Sequence, residues 1–218
     1  MKIGIILGTR PEIIKMSPII RLCEKKGLDY FILHSGQHYS YHLDKVFFDE
    51  LKLPDPLFNL EAGSGSQGEQ TGKMLAGIEK VLLNQKPDVI LVQGDTNTVL
   101  AGALAAIKIG IMIGHVEAGL RSNDRSMPEE INRVLTDYMS SLLFCPTQTA
   151  VDNLAKEGIT KGVYLVGDVM VDALEYNRGI AEGKSRIIET LGLQNRDYLV
   201  DQQFEGGQAW PPKAVDPE

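Results

Sequence analysis

Six short aliphatic runs, separated by segments of helical periodicity, constrain this chain more than any other feature. They occupy residues 3–7, 30–33, 89–92, 111–116, 142–145 and 163–166. None alternates polar with apolar side chains, so each suits a strand buried on both faces of a parallel sheet. Helical spacing marks the segments between them, at Ile13, Ile14, Ser17, Ile20 and Leu22, then Val46, Phe47 and Leu51, then Met74, Ile78, Val81 and Leu82. It continues at Leu100, Leu104 and Ile107, then Ile131, Val134, Leu135 and Tyr138, then Val151 and Leu154. Such alternation predicts an α/β fold, an open doubly wound parallel sheet with right-handed crossovers. Ligands of that architecture bind at the carboxyl ends of the strands.

Composition narrows the class. Hydrophobic residues make up 43% of the 218, enough to build a core, so a chain disordered throughout is excluded. Two cysteines, Cys23 and Cys145, cannot staple a secreted scaffold. A formal net charge of −7 argues against a general nucleic-acid binder. It does not argue against a small anionic ligand held by local cations and helix N-termini. The opening apolar run is short for a signal peptide, and the longest membrane-like stretch, 99–116, is broken by Lys108. The expectation is a cytoplasmic protein with neither membrane nor nucleic-acid partners. The length is large for one α/β domain and small for two. From about Gln194 the composition shifts to glycine, proline and the only tryptophan, Trp210, which reads as a loose tail.

Five motifs could carry chemistry. Gly8-Thr9-Arg10-Pro11-Glu12 reads as a helix start with a T-x-x-E capping box. Capping leaves Arg10 and Lys15 unexplained, since cations beside a helix N-terminus call for an anion such as a diphosphate. Ser35-Gly36-Gln37-His38 follows the second strand. His34, His38 and His42 lack the cysteines or acids that would complete a metal site, so no metal is expected. In Gly94-Asp95-Thr96, either Asp95 or Thr96 can cap the following helix, and Asp95 is equally a candidate catalytic carboxylate. In 114–121, His115, Glu117 and Arg121 cluster where a buried strand opens. Burial there would raise the Glu117 pKa, as a general acid or base needs, while the bland alternative is a Glu117–Arg121 ion pair. In 126–133, a Ser126/Glu129 capping box and a Glu129–Arg133 pair account for the motif structurally, with Glu130 in solvent.

Taken as an ordered set, these motifs and Gly167-Asp168-Val-Met-Val-Asp-Ala173 resemble the non-hydrolysing UDP-N-acetylglucosamine 2-epimerases over residues 1 to about 200. The resemblance implies a GT-B-type fold of two Rossmann-like domains with the active site between them. It implies interconversion of UDP-N-acetylglucosamine and UDP-N-acetylmannosamine by anti elimination of UDP and its re-addition, with no cofactor. Asp95, Glu117 and Glu129 match the catalytic carboxylates. Arg10 and Lys15 match cations near the diphosphate; His115, Arg121 and Arg133 shape the substrate site or orient its carboxylates. Gln37 and His38 match positions where bacterial members bind a second, allosteric substrate molecule, although 39–42 departs from the bacterial pattern. Members are commonly homodimers. The implied organisation is an N-terminal domain over 1–168, hinge helices over 169–193, and an orphan strand with a loose tail over 194–218. The second domain, with its uridine contacts and a further catalytic histidine, is not matched, so the chain alone is expected to be inactive. Two alternatives stay open. One is a GT-B glycosyltransferase or hydrolysing epimerase, and the other a non-catalytic dimerisation or regulatory domain.

Overall fold

The computed structural model describes residues 1–37 and 41–193. Its elements run β1 (Lys2–Leu7), α1 (Arg10–Lys26), β2 (Asp29–His34), α2 (Tyr41–Glu50), β3 (Phe58–Asn59), α3 (Gln67–Gln85), β4 (Val89–Gln93) and α4 (Asn97–Lys108). They continue as β5 (Met112–Val116), α5 (Pro128–Met139), β6 (Leu142–Cys145), α6 (Gln148–Lys156), β7 (Val163–Leu165), α7 (Val169–Lys184) and α8 (Ile187–Thr190). The strands form one sheet in the order β3-β2-β1-β4-β5-β6-β7, and every pairing is parallel. Each of the six aliphatic runs became a strand. The two-residue β3 had no such signal, since it follows Pro54 and Pro56 and pairs only with Leu33 and His34.

The unbroken aliphatic runs are explained by burial on both faces. Within β1, Ile6 faces a core shared with Met74, Ile78 and Leu82 of α3 and Val99 of α4, whereas Ile5 and Leu7 face Ile13, Met16 and Ile20 of α1. α4 lies close on the sheet because Gly102 has no side chain; a Cβ there would stand 3.2 Å from Val92 and 3.3 Å from Ile6. Both cysteines are free and buried.

From β1 the chain winds outward to β2 and β3, then returns to place β4 on the other side of β1. The β1–β4 boundary is therefore the topological switch point, where loops part and leave a crevice at the carboxyl ends. The loops opening that crevice are Gly8-Thr9 and Gly94-Asp95-Thr96. At Gly8 the approach is so close that a Cβ would lie 2.0 Å from Ser35 Oγ and 2.4 Å from Thr98 Oγ1.

The chain divides into two compact units, Met1–Arg178 and Gly179–Glu218. The first ten residues of α7, assigned to a hinge on sequence grounds, belong to the first unit, and Val169 packs against the β1 core. Of the second unit, the end of α7 and α8 are described. The expected strand and tail over 194–218 lie outside the described residues. Among the described residues no helix is long and apolar enough to cross a membrane.

Candidate active site

Glu117 stands where β5 ends. Its backbone adopts φ = 66°, the left-handed region that costs a non-glycine residue on the order of 1–2 kcal/mol and that concentrates at functional sites. That turn aims the side chain back over the carboxyl end of β4. There Oε2 accepts from Lys15 Nζ at 3.0 Å and from Gln93 Nε2 at 2.5 Å. No hydrogen bond reaches Oε1 from the described residues. Burial pushes this carboxyl above its ordinary range; the Lys15 ammonium opposes the shift and the charge of Asp168 adds to it. The Glu117–Arg121 pair, the bland alternative, does not form, because Lys15 occupies that place and Arg121 turns away to other acids.

Asp95 follows Gly94, whose φ of 82° makes the turn out of β4. α5 holds it twice: Arg133 donates to its Oδ2, and Asn132 Nδ2 donates to its carbonyl at 2.9 Å. Asp95 and Thr96, either of which could cap α4, divide the work. Thr96 is the cap, accepting from Val99 N at 3.3 Å, which leaves the Asp95 carboxylate on Arg133.

The start of α5 differs from its sequence reading. Met127, not Ser126, is the N-cap, and the Ser126 hydroxyl turns to Asp124 Oδ1 at 2.6 Å. Glu130 is 3% exposed rather than solvated. Its carboxylate accepts Ser122 N at 2.9 Å and Asn123 N at 3.0 Å, and these bonds outweigh burial to hold it below the usual range. Arg133 pairs with Asp95 and, at 3.4 Å, with Glu130 in place of Glu129. Glu129 is exposed, one helical turn before Arg133 and on the same face.

Beneath these residues lies a buried ionic network centred on Asp137, which the sequence reading missed. Its Oδ1 lies 2.6 Å from His115 Nδ1, and its Oδ2 accepts Arg121 Nη1 at 2.7 Å and Gly119 N at 3.1 Å. Arg121 also makes a two-pronged pair with Glu157 at 2.8 and 2.7 Å. His115 Nε2 donates to the Gly94 carbonyl at 2.8 Å. Of the residues expected at the substrate, His115 and Arg121 are thus buried supports that fix the turns before Asp95 and after Glu117. An acid inside an apolar-looking helix was the available signal, since Asp137 is 1% exposed on α5.

Of the expected diphosphate cations, Arg10 is exposed and makes no ion pair among the described residues, while Lys15 is committed to Glu117. Glu12 accepts from Gly8 N at 2.6 Å and Thr9 N at 2.8 Å, so these amides of the α1 start are already occupied by a carboxylate. An anion here would meet the Arg10 side chain instead. Gln37 Oε1 accepts Thr98 N at 3.1 Å and Thr98 Oγ1 at 2.6 Å, joining the β2 loop to α4. His38 lies outside the described residues, as does the His42 side chain. His34 is buried, with Nδ1 accepting Gly36 N at 3.1 Å and Nε2 3.5 Å from Asp44.

The sequence model of the UDP-N-acetylglucosamine 2-epimerase family matches residues 21–201. The chain belongs to this family. It is 62% identical over 188 residues to the UDP-N-acetylglucosamine 2-epimerase of Methanocaldococcus jannaschii, covering 86% of this chain and 51% of that one. To the enzyme of the same name from Methanococcus maripaludis it is 63% identical over 203 residues, covering 91% and 55%. The crystal structure of the M. jannaschii UDP-GlcNAc 2-epimerase in complex with UDP-GlcNAc and UDP superposes with a TM-score of 0.85 at 61% identity, over 88% of this chain and 53% of that one. The chain therefore spans about half the length of the curated relatives it matches. In this epimerase-family chain the carboxyl edge of the sheet carries two groups, Lys15 and Gln93 on Glu117 and Arg133 on Asp95, with His115 and Arg121 bound to the buried Asp137.

Proposed function

We propose that the protein to which these residues belong interconverts UDP-N-acetylglucosamine and UDP-N-acetylmannosamine, and that this chain supplies the acid–base part of the site. The observation that carries the reading is Glu117, buried at a left-handed strand end with one oxygen held by Lys15 and Gln93 and the other receiving no hydrogen bond from the described residues. A carboxyl raised by burial and oriented in this way suits proton transfer. In the elimination, a carboxylate takes the proton from carbon 2 of the sugar. The C–H electron pair becomes the C1–C2 double bond, the bond from carbon 1 to the diphosphate oxygen breaks, and UDP leaves with its electrons. Re-addition returns the oxygen to carbon 1 and delivers a proton to the opposite face of carbon 2. Two faces need more than one proton carrier, which Asp95, Glu117 and Glu129 provide. Arg10 and Lys15 offset the charge that grows on the leaving UDP. Gln37, bonded to Thr98, is a strut in this arrangement.

The domain organisation follows the same reading. Residues 1–168 form the N-terminal domain of a two-domain enzyme, and α7 leads out of it in the cytoplasmic protein. Incubating the complete gene product with UDP-N-acetylglucosamine in D2O should give UDP-N-acetylmannosamine carrying deuterium at carbon 2. Free N-acetylmannosamine with UDP would indicate a hydrolysing enzyme, and sugar transfer to an added acceptor a transferase; either overturns the proposal. The 218 residues alone are expected to show no turnover above background, because binding energy from the rest of the substrate contributes to the rate.

A second copy of the chain is the proposed partner of α5. The helix is turned inside out, with Glu130, Asn132, Thr136 and Asp137 buried while Ile131, Leu135 and Tyr138 are 47, 45 and 59% exposed. A two-fold axis along such a stripe would cover it against itself. Sedimentation should show a dimer that Leu135→Glu converts to a folded monomer. A wild-type monomer at micromolar concentration would remove this assignment.

A further inference from the structure

Glu12 sits in the first turn of α1, yet its side chain is 2% exposed. Its Oε2 accepts Gly8 N at 2.6 Å and Thr9 N at 2.8 Å, and its Oε1 accepts the Thr96 hydroxyl at 2.6 Å. Thr96 Oγ1 in turn accepts Val99 N, in the first turn of α4. Of the Glu12 side chain, a capping box needs only the bond to Thr9 N. The reach to Thr96 is additional, and it crosses the switch point, joining the Gly8-Thr9 loop to the loop that carries Asp95.

We propose that Glu12 is a positioning residue, a proton-dependent tie that sets the Asp95 loop against the β1–α1 loop. Its catalytic consequence rests on the epimerase reading; the tie itself does not. When ionised, the carboxylate accepts all three donors. When protonated, it must donate once. Two amides already point at Oε2, so the proton belongs on Oε1, facing Thr96. The Thr96 oxygen already receives Val99 N, so its own hydrogen has to swing elsewhere. Protonation thus reverses one bond and leaves the amide pair in place.

Titration falls where such a reversal would be felt. Burial lifts the carboxyl to about 7, against the opposing hydrogen bonds from Thr96, Gly8 and Thr9. The titratable and charged side chains at this end of the sheet include Arg10 and Lys15 on α1, Asp95 after β4, His115 on β5, Glu117 after it, and Glu129, Glu130, Arg133 and Asp137 on α5. Lys15 is engaged by Glu117 and Asp95 by Arg133, and none of these groups bonds to Glu12 among the described residues.

The test is a carbon-detected NMR titration of the side-chain carboxyls in the 218-residue chain, with amide shifts followed in parallel. The carboxyl signal that Glu12→Gln removes should titrate with a midpoint near pH 7, and the Gly8, Thr9, Thr96 and Val99 amides should move with it. Glu12→Gln, which keeps an oxygen for the amides and an NH2 for Thr96, should abolish those movements. In the active gene product it should lower kcat without raising KM and flatten the limb of the pH profile near that midpoint, while Thr96→Ser should retain it. Movement of Gly8 and Thr9 without Thr96 and Val99 reduces Glu12 to a cap and overturns the proposal. So does a midpoint in the ordinary glutamate range. Should Glu12→Gln fail to fold, the wild-type titration decides. A positive titration in a protein without epimerase activity would defeat the catalytic reading and leave the tie standing.

Discussion

Replacing Asp137 with alanine is expected to destabilise the fold by about 3–5 kcal/mol, the cost of removing one partner from a buried ionic group. Three donors would lose their acceptor at once: His115 Nδ1, Arg121 Nη1 and the Gly119 amide. Glu157 still engages Arg121, so the loss falls most heavily on His115, which is fully buried. Asp137→Asn should cost less, since its side-chain oxygen can still accept one of the three. Urea unfolding measures both, and a loss below about 1 kcal/mol for the alanine variant would show that the network contributes little. Acid should act in the same direction. Burial raises the Asp137 carboxyl, but the His115 hydrogen bond and the charges of His115 and Arg121 outweigh it and hold the group below its usual 3.8. A depressed carboxyl contributes fully above its unfolded value, so this part of the stability is present above pH 3.8 and is lost as the pH falls through the lower, folded value.

Glu117→Gln should lower kcat of the active gene product by roughly 10²–10⁴, the range for removing a positioned general acid or base. The amide preserves shape but takes no proton from carbon 2. Stability should move by only about 1 kcal/mol, because burial disfavours the carboxylate and the change offsets the loss of the Lys15 pair. Stopped assays over the pH range, alongside thermal unfolding, separate the two effects. An active Glu117→Gln enzyme would remove the residue from the proton-transfer step. An inactive, unfolded one would return it to structure.

The sheet was legible in the sequence because burial on both faces leaves a mark that needs no tertiary knowledge. Ile5, Ile6 and Leu7 serve opposite faces, so the run is apolar throughout. β3 was illegible because two residues carry no period. The site was legible as motifs at strand ends, yet its wiring was not. Hydrophobic periodicity put Ile131, Leu135 and Tyr138 of α5 inward, whereas the helix buries its polar face. That inversion is stable because each buried acid there has partners distant in sequence, such as Glu130 with Ser122 N and Asp137 with His115. Local pairing rules likewise gave Arg133 to Glu129 and Arg121 to Glu117, where Asp95, Asp137 and Glu157 hold them instead. Spacing along one helix ranks near neighbours, and the fold supplied better ones.

The position of β1 at the centre of the sheet sets a problem of timing. Its first edge pairs with β2, twenty-odd residues downstream, but its second waits for β4, where Ile3 meets Val89 and Ile5 meets Leu91. During synthesis, β1 and β2 can form with α1 while β1 still presents an open aliphatic edge on its far side. Such edges recruit other chains, and distant parallel pairings close slowly. The switch-point crevice is the seam that the nascent chain closes late, and until then it is the surface on which a chaperone or a misfolded neighbour would act.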